Sequence, residues 1–261
     1  MACESPTLLL FCTPMERLEG RQSVMAALQA RQRRFEVILV SHQAHEEKVR
    51  DLLDLAAEMG VPVQRRDGRE LHALAHGSTH GGVVAICSAK PRRDAQWLLQ
   101  YLQEVDRPLL LLLEGIDDAR NLGFTLRSAE ALGAHAVLVK KHLWDFDETE
   151  VARPASGAYE RLPLVQIESA RPLRDLQRIG VRLLGCIAGS RLRIHDTNLT
   201  GGVLLAIGGE KRGLSAAVRE VCDEFVHIPT TGGASSLALS HAAAIVLAEA
   251  LRQRNQENHS R

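Results

Sequence analysis

Three short segments carry the side chains that could do chemistry together. The first, NLGFTLRSAEALGA from Asn121 to Ala134, directly follows the apolar run Leu109 to Leu113, so an amide, Gly123 and the guanidinium of Arg127 fall where a buried strand turns into a helix. In α/β proteins that junction is where ligands are placed. The second, GGEKRGLS, follows the strand-like run Val203 to Ile207 and sets Glu210 behind Gly208 and Gly209, and glycines let the backbone approach a ligand closely. The third, IPTTGGASSLALSHAAAI from Ile228 to Ile245, brings the hydroxyl of Ser236. Asparagine is a preferred helix cap, so Asn121 is also expected to cap the helix that begins near it.

Several familiar chemistries are absent from the pattern. There is no Walker A or GxGxxG fingerprint, and His195-Asp196 and the many serines form no nucleophile elbow, which argues against a hydrolase. His72, His76 and His80 recur every four residues, but Gly77, Ser78 and Gly81 would break that helix and no cysteine or carboxylate completes a ligand set, so no metal site is expected. The five cysteines (Cys3, Cys12, Cys87, Cys186, Cys222) are scattered among mostly apolar neighbours, as reduced thiols are.

Charge and composition bound the partners. The net charge is zero with 25% charged residues, so contact with nucleic acid must come from local patches such as Arg31-Gln-Arg33-Arg34, Arg65-Arg66, Arg92-Arg93, Lys140-Lys141 and the trio Arg191, Arg193, His195. Any one of these alone is more often a solvated face. Aromatics at 3% leave little for a base-stacking platform. The longest apolar run is far short of the roughly 20 residues that span a bilayer, and Met1 to Leu10 has no basic segment ahead of its apolar stretch. A cytoplasmic protein with no membrane or DNA partner is expected.

The elements that must position these residues fall into two groups, and 261 residues suffice for two modest cores. Residues 1–19 read as an arm without pattern. In 20–90, a helix from Arg21 through Leu28, strands at Val37 to Val40, Val61 to Val63 and Val83 to Cys87, and helices at Glu46 to Met59 and Glu70 to Ala75 alternate as a small α/β sandwich. Residues 91–107 read as a linker with a connecting helix. In 108–261, strands are expected at Leu109 to Leu113, Ala136 to Val139, Leu183 to Ile187, Val203 to Ile207 and Phe225 to Ile228, as an open parallel sheet, with an alanine-rich last helix, Leu237 to Leu251, able to pack on the sheet and on a second subunit.

In order, spacing and residue types the three segments resemble the SpoU/TrmH family of RNA ribose 2′-O-methyltransferases, in the SPOUT superfamily, over nearly the whole chain. Gly20-Arg21-Gln22-Ser23-Val24-Met25 and Thr79-His80-Gly81-Gly82-Val83-Val84-Ala85 resemble the L30e-like RNA-binding domain of its ribosomal RNA members. The resemblance implies an α/β catalytic domain with a deep C-terminal trefoil knot, S-adenosylmethionine as methyl donor, a homodimer, and structured RNA as substrate, ribosomal first and transfer RNA second. It makes Arg127, Asn121, Glu210 and Ser236 catalytic, and places the cofactor among Ile187, Ala188, Gly189, Ile207, Gly208, Gly209, Ile228, Ser236 and Leu237. For Arg127 the resemblance implies either a base acting through the bound phosphate or an anchor; a guanidinium keeps its protons, which favours anchoring phosphate and polarising the hydroxyl, near the first turns of its helix. Two departures stand out: Ala238 where the family carries asparagine, with His241 one turn on as a possible substitute, and Ala119 where proline is usual. The rival class is a knotted RNA-binding protein that is catalytically weak.

Overall fold

Five consecutive leucines, Leu109–Leu113, form a strand whose every side chain is buried, as a parallel strand covered on both faces requires. The structure is a computed structural model that describes residues 15–75, 80–140, 146–232 and 237–259. It divides into two compact units, the first ending at Pro91 and the second beginning at Arg92.

The first unit contains β1 (Met15–Glu19), α1 (Arg21–Ala30), β2 (Phe35–Ser41), α2 (Glu46–Glu58), β3 (Val63–Arg66), α3 (Gly68–Leu74) and β4 (Val83–Ser88). The sheet order is β1-β4-β2-β3; β4 runs antiparallel to β1 and β2, and β3 parallel to β2. Helix α2 buries Val49, Leu52 and Ala56 along one stripe and opens with Glu46 and Glu47, which suit the positive end of its dipole.

Two sequence expectations fail here. Residues 15–19 are not patternless arm but an edge strand, which pairs from Met15↔Ser88 to Glu19↔Val84 and buries only Leu18 and Glu19. The strand expected at Val61 to Val63 starts at Val63 and continues through Gln64-Arg65-Arg66; as the opposite edge it tolerates charge that an inner strand would exclude. His76 lies outside the described residues. His72 and His80 meet edge to face with ring nitrogens 3.4 Å apart, and Gly82 N–H donates to His80 Nδ1. Burial, and then the neighbouring His72, hold His80 below the ordinary histidine pKa.

The second unit begins with α4 (Ala95–Tyr101), extended by a 3-10 turn, then β5 (Leu109–Leu113), α5 (Ala119–Ala131), β6 (Ala136–Lys140), α6 (Glu148–Ala155), α7 (Ala158–Arg161), β7 (Leu164–Ile167), α8 (Arg171–Arg178), β8 (Arg182–Cys186) and β9 (Leu192–Arg193). It ends with β10 (Val203–Ile207), α9 (Ala216–Val221), β11 (Glu224–His227) and α10 (Leu239–His259). The seven strands are parallel in the order β7-β6-β5-β10-β8-β11-β9. Two late strands therefore enter between strands laid down earlier: β10 between β5 and β8, and β11 between β8 and β9. Among the described residues no helix is long and apolar enough to cross a membrane.

Candidate active site

The carboxyl ends of β8, β10 and β11 surround a cleft of about 610 Å³. A hollow of similar size, about 690 Å³, sits at the other end of the sheet, against Pro108, Val181 and Gly202 just ahead of β5, β8 and β10. Ligands of open parallel sheets bind outside the carboxyl ends, so the first cleft is the candidate. Eight residues expected from the sequence to hold the cofactor line it together: Ile187, Ala188, Gly189, Ile207, Gly208, Gly209, Ile228 and Leu237. Ser236 lies outside the described residues. Glu210, Arg212, Arg219, His227 and Thr230 complete the polar part of the wall.

The two glycines are required by packing as much as by any ligand. A Cβ on Gly208 would lie 2.1 Å from the carbonyl carbon of Gly213, and one on Gly209 would lie 2.2 Å from the carbonyl oxygen of Gly115. Gly213 N–H donates to Gly209 O at 2.8 Å, folding 209–213 back on itself. Gly123 is likewise no hinge. A Cβ there would lie 2.4 Å from Val151 O and from Pro154 Cγ, so glycine is what lets α5 and α6 touch.

Helix α5 is capped by Asp118, not by Asn121. The Asp118 carboxylate accepts from the N–H groups of Arg120 at 2.6 Å and Asn121 at 3.2 Å, which leaves Asn121 inside the first turn with its side chain free for another task. Ser240 Oγ donates to Asn121 Oδ1 at 3.2 Å, and Leu239 N–H donates to Glu210 Oε1 at 3.3 Å. The start of α10 is thus tied to both of the other motifs. Arg127 sits more than two turns into α5, beyond the first turns where it was expected, and is exposed. It does not line the cleft. His241 is also exposed, and the side chain of α10 that reaches Asn121 is that of Ser240.

Sequence reasoning missed Glu114. This carboxylate ends β5, is only 3% exposed, accepts from Ser215 N–H at 2.7 Å and from Ser215 Oγ at 2.9 Å, and pairs with Lys140. Ser215 in turn caps α9 through Val218 N–H. The signal available was a lone acid directly after five leucines, a position where an unpaired charge would be too costly to keep.

The thiols near the cleft are inert. Burial, with Cys222 beside it, pushes Cys186 up to about 12. Burial, then Asp223 and Glu114, push Cys222 up to about 11. Both shifts disfavour the thiolate that a sulfur nucleophile needs.

Comparison with known proteins adds to this geometry. Residues 108–248 match the model of the SpoU rRNA Methylase family, and residues 17–93 match that of the RNA 2′-O ribose methyltransferase substrate binding domain. The 23S rRNA (guanosine-2′-O-)-methyltransferase RlmB of Pseudomonas putida is 37% identical over 242 residues, 92% of this chain and 97% of that protein. Its namesake in Escherichia coli is 33% identical over 243 residues, 92% and 99% of the two chains. Among solved structures, the SpoU methyltransferase AviRb of Streptomyces viridochromogenes, in complex with AdoMet, superposes with a TM-score of 0.77 at 28% identity, covering 93% of this chain and 91% of that one. With a family model over more than half of its length and relatives alike along nearly all of it, this chain belongs to the SpoU family of RNA 2′-O-methyltransferases.

Proposed function

We propose that the protein methylates the ribose 2′-hydroxyl of a guanosine in 23S ribosomal RNA, with S-adenosylmethionine as methyl donor. The observation that carries this reading is the cleft at the carboxyl ends of β8, β10 and β11, joined through α10, whose Leu239 N–H donates to Glu210 and whose Ser240 donates to Asn121, to the helix that bears Asn121 and Arg127. The cleft suits the cofactor: Ile187, Ile207, Ile228 and Leu237 offer apolar walls for a purine, and Gly189, with open space where a Cβ would be, leaves backbone within reach of its polar edge. When bound, the cofactor supplies an electrophilic methyl group to which a ribose oxygen can be brought in line.

The chain's own task is positioning, which can contribute several kcal/mol to such a transfer. Arg127, with its planar fork of donors on the exposed face of α5, anchors the phosphate of the reacting nucleotide and polarises its hydroxyl. Glu210 holds the 208–213 turn against the start of α10. Asn121, fixed by Ser240, sets the distance between α5 and α10.

Radiolabelled methyl transfer to 23S RNA, followed by mapping of 2′-O-methyl positions, tests the reading. Wild type should modify a single guanosine, and Arg127→Ala should lose transfer at least about a hundredfold, comparable to removing one charge-stabilising donor, while calorimetric affinity for S-adenosylmethionine stays the same. Transfer by Arg127→Ala at the wild-type rate would remove Arg127 from the mechanism. Failure of wild type to methylate any 23S RNA would defeat the substrate assignment.

The same proposal extends to a cytoplasmic homodimer. Phe124 on α5 and Ile245 on α10, 51% and 37% exposed, are large apolar side chains on two helices that pack together, the kind of patch a two-fold interface covers. Insertion of β10 and β11 between earlier strands, with α10 packed back on α5, supports closure of the chain as the expected trefoil knot.

A further inference from the structure

A second hollow of about 400 Å³ opens at the carboxyl end of β7, on the edge of the sheet and apart from the residues assigned above. Three arginines line it, Arg92, Arg93 and Arg171, together with Gln166 and the carboxylates of Asp94 and Glu168. Its parts are held in place. Arg93 forms a parallel bridge with Val165, and Gln166 N–H donates to Arg93 O at 2.8 Å, so the backbone at Arg93 is laid along the edge of β7. The Arg93 guanidinium lies over the Trp97 ring at 4.9 Å, and Trp97 stacks on Tyr101 at 5.0 Å with the rings 10° apart. This cation–π contact removes much of the freedom the side chain would otherwise lose on binding.

The charges in the hollow favour an anion. Asp94 spends its carboxylate on Trp97 N–H at 2.8 Å, capping α4. Across the hollow, α8 begins, with Ser169 Oγ accepting from Arg171 N–H at 3.3 Å. The Nε2 of Gln166 is buried without a hydrogen-bond acceptor, and a buried amide donor beside three guanidinium groups suits an anionic oxygen. Arg92 also lines a small adjoining hollow with Leu122 of α5 and with Glu148 and Val151 of α6, so the basic hollow lies next to the helix that carries Asn121 and Arg127.

We propose that this hollow binds a backbone phosphate of the RNA substrate, a second anchor on the catalytic unit distinct from Arg127. The proposal rests on the reading of the chain as an RNA methyltransferase. Arginine is the fitting residue because its fork matches two phosphate oxygens at once.

The test uses the full chain, in vitro transcribed 23S RNA and filter binding over a series of potassium chloride concentrations. The double variant Arg93→Ala/Arg171→Ala should bind RNA about tenfold more weakly, with the slope of log affinity against log salt shallower by about 1 to 2. Its KM for RNA should rise by more than its kcat falls, and calorimetric affinity for S-adenosylmethionine should not change. Arg93→Lys/Arg171→Lys should recover the slope but only part of the affinity. Arg174→Ala, on the same helix but ion-paired with Glu220 at 3.3 Å, should behave as wild type. An alanine double variant with wild-type melting temperature, RNA affinity and salt slope overturns the phosphate site while leaving the methyltransferase reading intact. A wild-type chain that neither binds nor methylates RNA overturns both. Equal loss of RNA binding in Arg174→Ala would also overturn the site, because the effect would then be one of net charge alone.

Discussion

Hydrogen bonds at single residues decide how the two motif-bearing helices meet. Asn121 is released from capping by Asp118 and held by Ser240 instead. Ser240→Ala should therefore slow methyl transfer about two- to tenfold, the worth of one neutral hydrogen bond of roughly 0.5–1.5 kcal/mol. Steady-state rates at saturating RNA measure it, and an unchanged rate would show that Asn121 needs no such anchor. Ala238 immediately precedes α10 and is half-buried. Ala238→Asn should raise the rate by a similar factor if a second amide adds to the site. A lower rate in that variant would mean that Ser240 and Asn121 already fill the role and that the larger side chain displaces them.

Elements with strong periodicity were legible, and those shaped by their neighbours were not. The runs Leu109–Leu113 and Val203–Ile207 became β5 and β10 without change of bounds, because a strand buried on both faces must be apolar throughout. Strands β1, β7 and β9 went unread: MERLE, LVQI and LR are short edge strands, defined by pairing rather than pattern. The cleft-lining loops came from the family resemblance, whereas Glu114 depends on partners from β6 and α9 far along the chain. Gly209→Ala tests the packing role of its loop. With carbonyl oxygen rather than a pliable side chain in the way, it should cost about 2 kcal/mol or more, lowering the melting temperature by roughly 4–8 °C; an unchanged melting temperature would refute the steric account. Helix α10 supplies a pH effect. Hydrogen bonds from Arg252, set against the cost of burial and reinforced by Gln253, hold Glu249 down to about 2. A depressed carboxylate stabilises fully above its ordinary value near 4.5 and loses that contribution as pH falls toward 2. Acid denaturation followed by circular dichroism should therefore steepen across this window in wild type and flatten in Glu249→Gln.

At the scale of the whole molecule, a chain of zero net charge must hold a polyanion through local contacts on two separate units. The proposed cofactor cleft is built wholly from residues after Arg92, and so are Glu114, Lys140 and Ser215, which brace its loops. The unit before Pro91 instead matches a substrate-binding domain. Its edge strand β3 carries Arg65, which donates to Ser41 O at 3.1 Å, and Arg66, which donates to Gln64 at 2.7 Å. Both cations also ion-pair, Arg65 with Glu46 at 3.9 Å and Arg66 with Glu70 at 3.8 Å, so the surface they offer is mixed in charge. Removing that unit should therefore separate the two affinities. A fragment of residues 92–261 should bind S-adenosylmethionine within about threefold of the full chain, since no wall of the cleft is lost, yet bind 23S RNA at least about tenfold more weakly, with a salt slope shallower by about one for each phosphate contact removed. Calorimetry and filter binding on the same preparation measure both. A folded fragment that keeps full RNA affinity would place substrate selection in the catalytic unit, and one that loses S-adenosylmethionine would mean the cleft depends on the residues before Pro91.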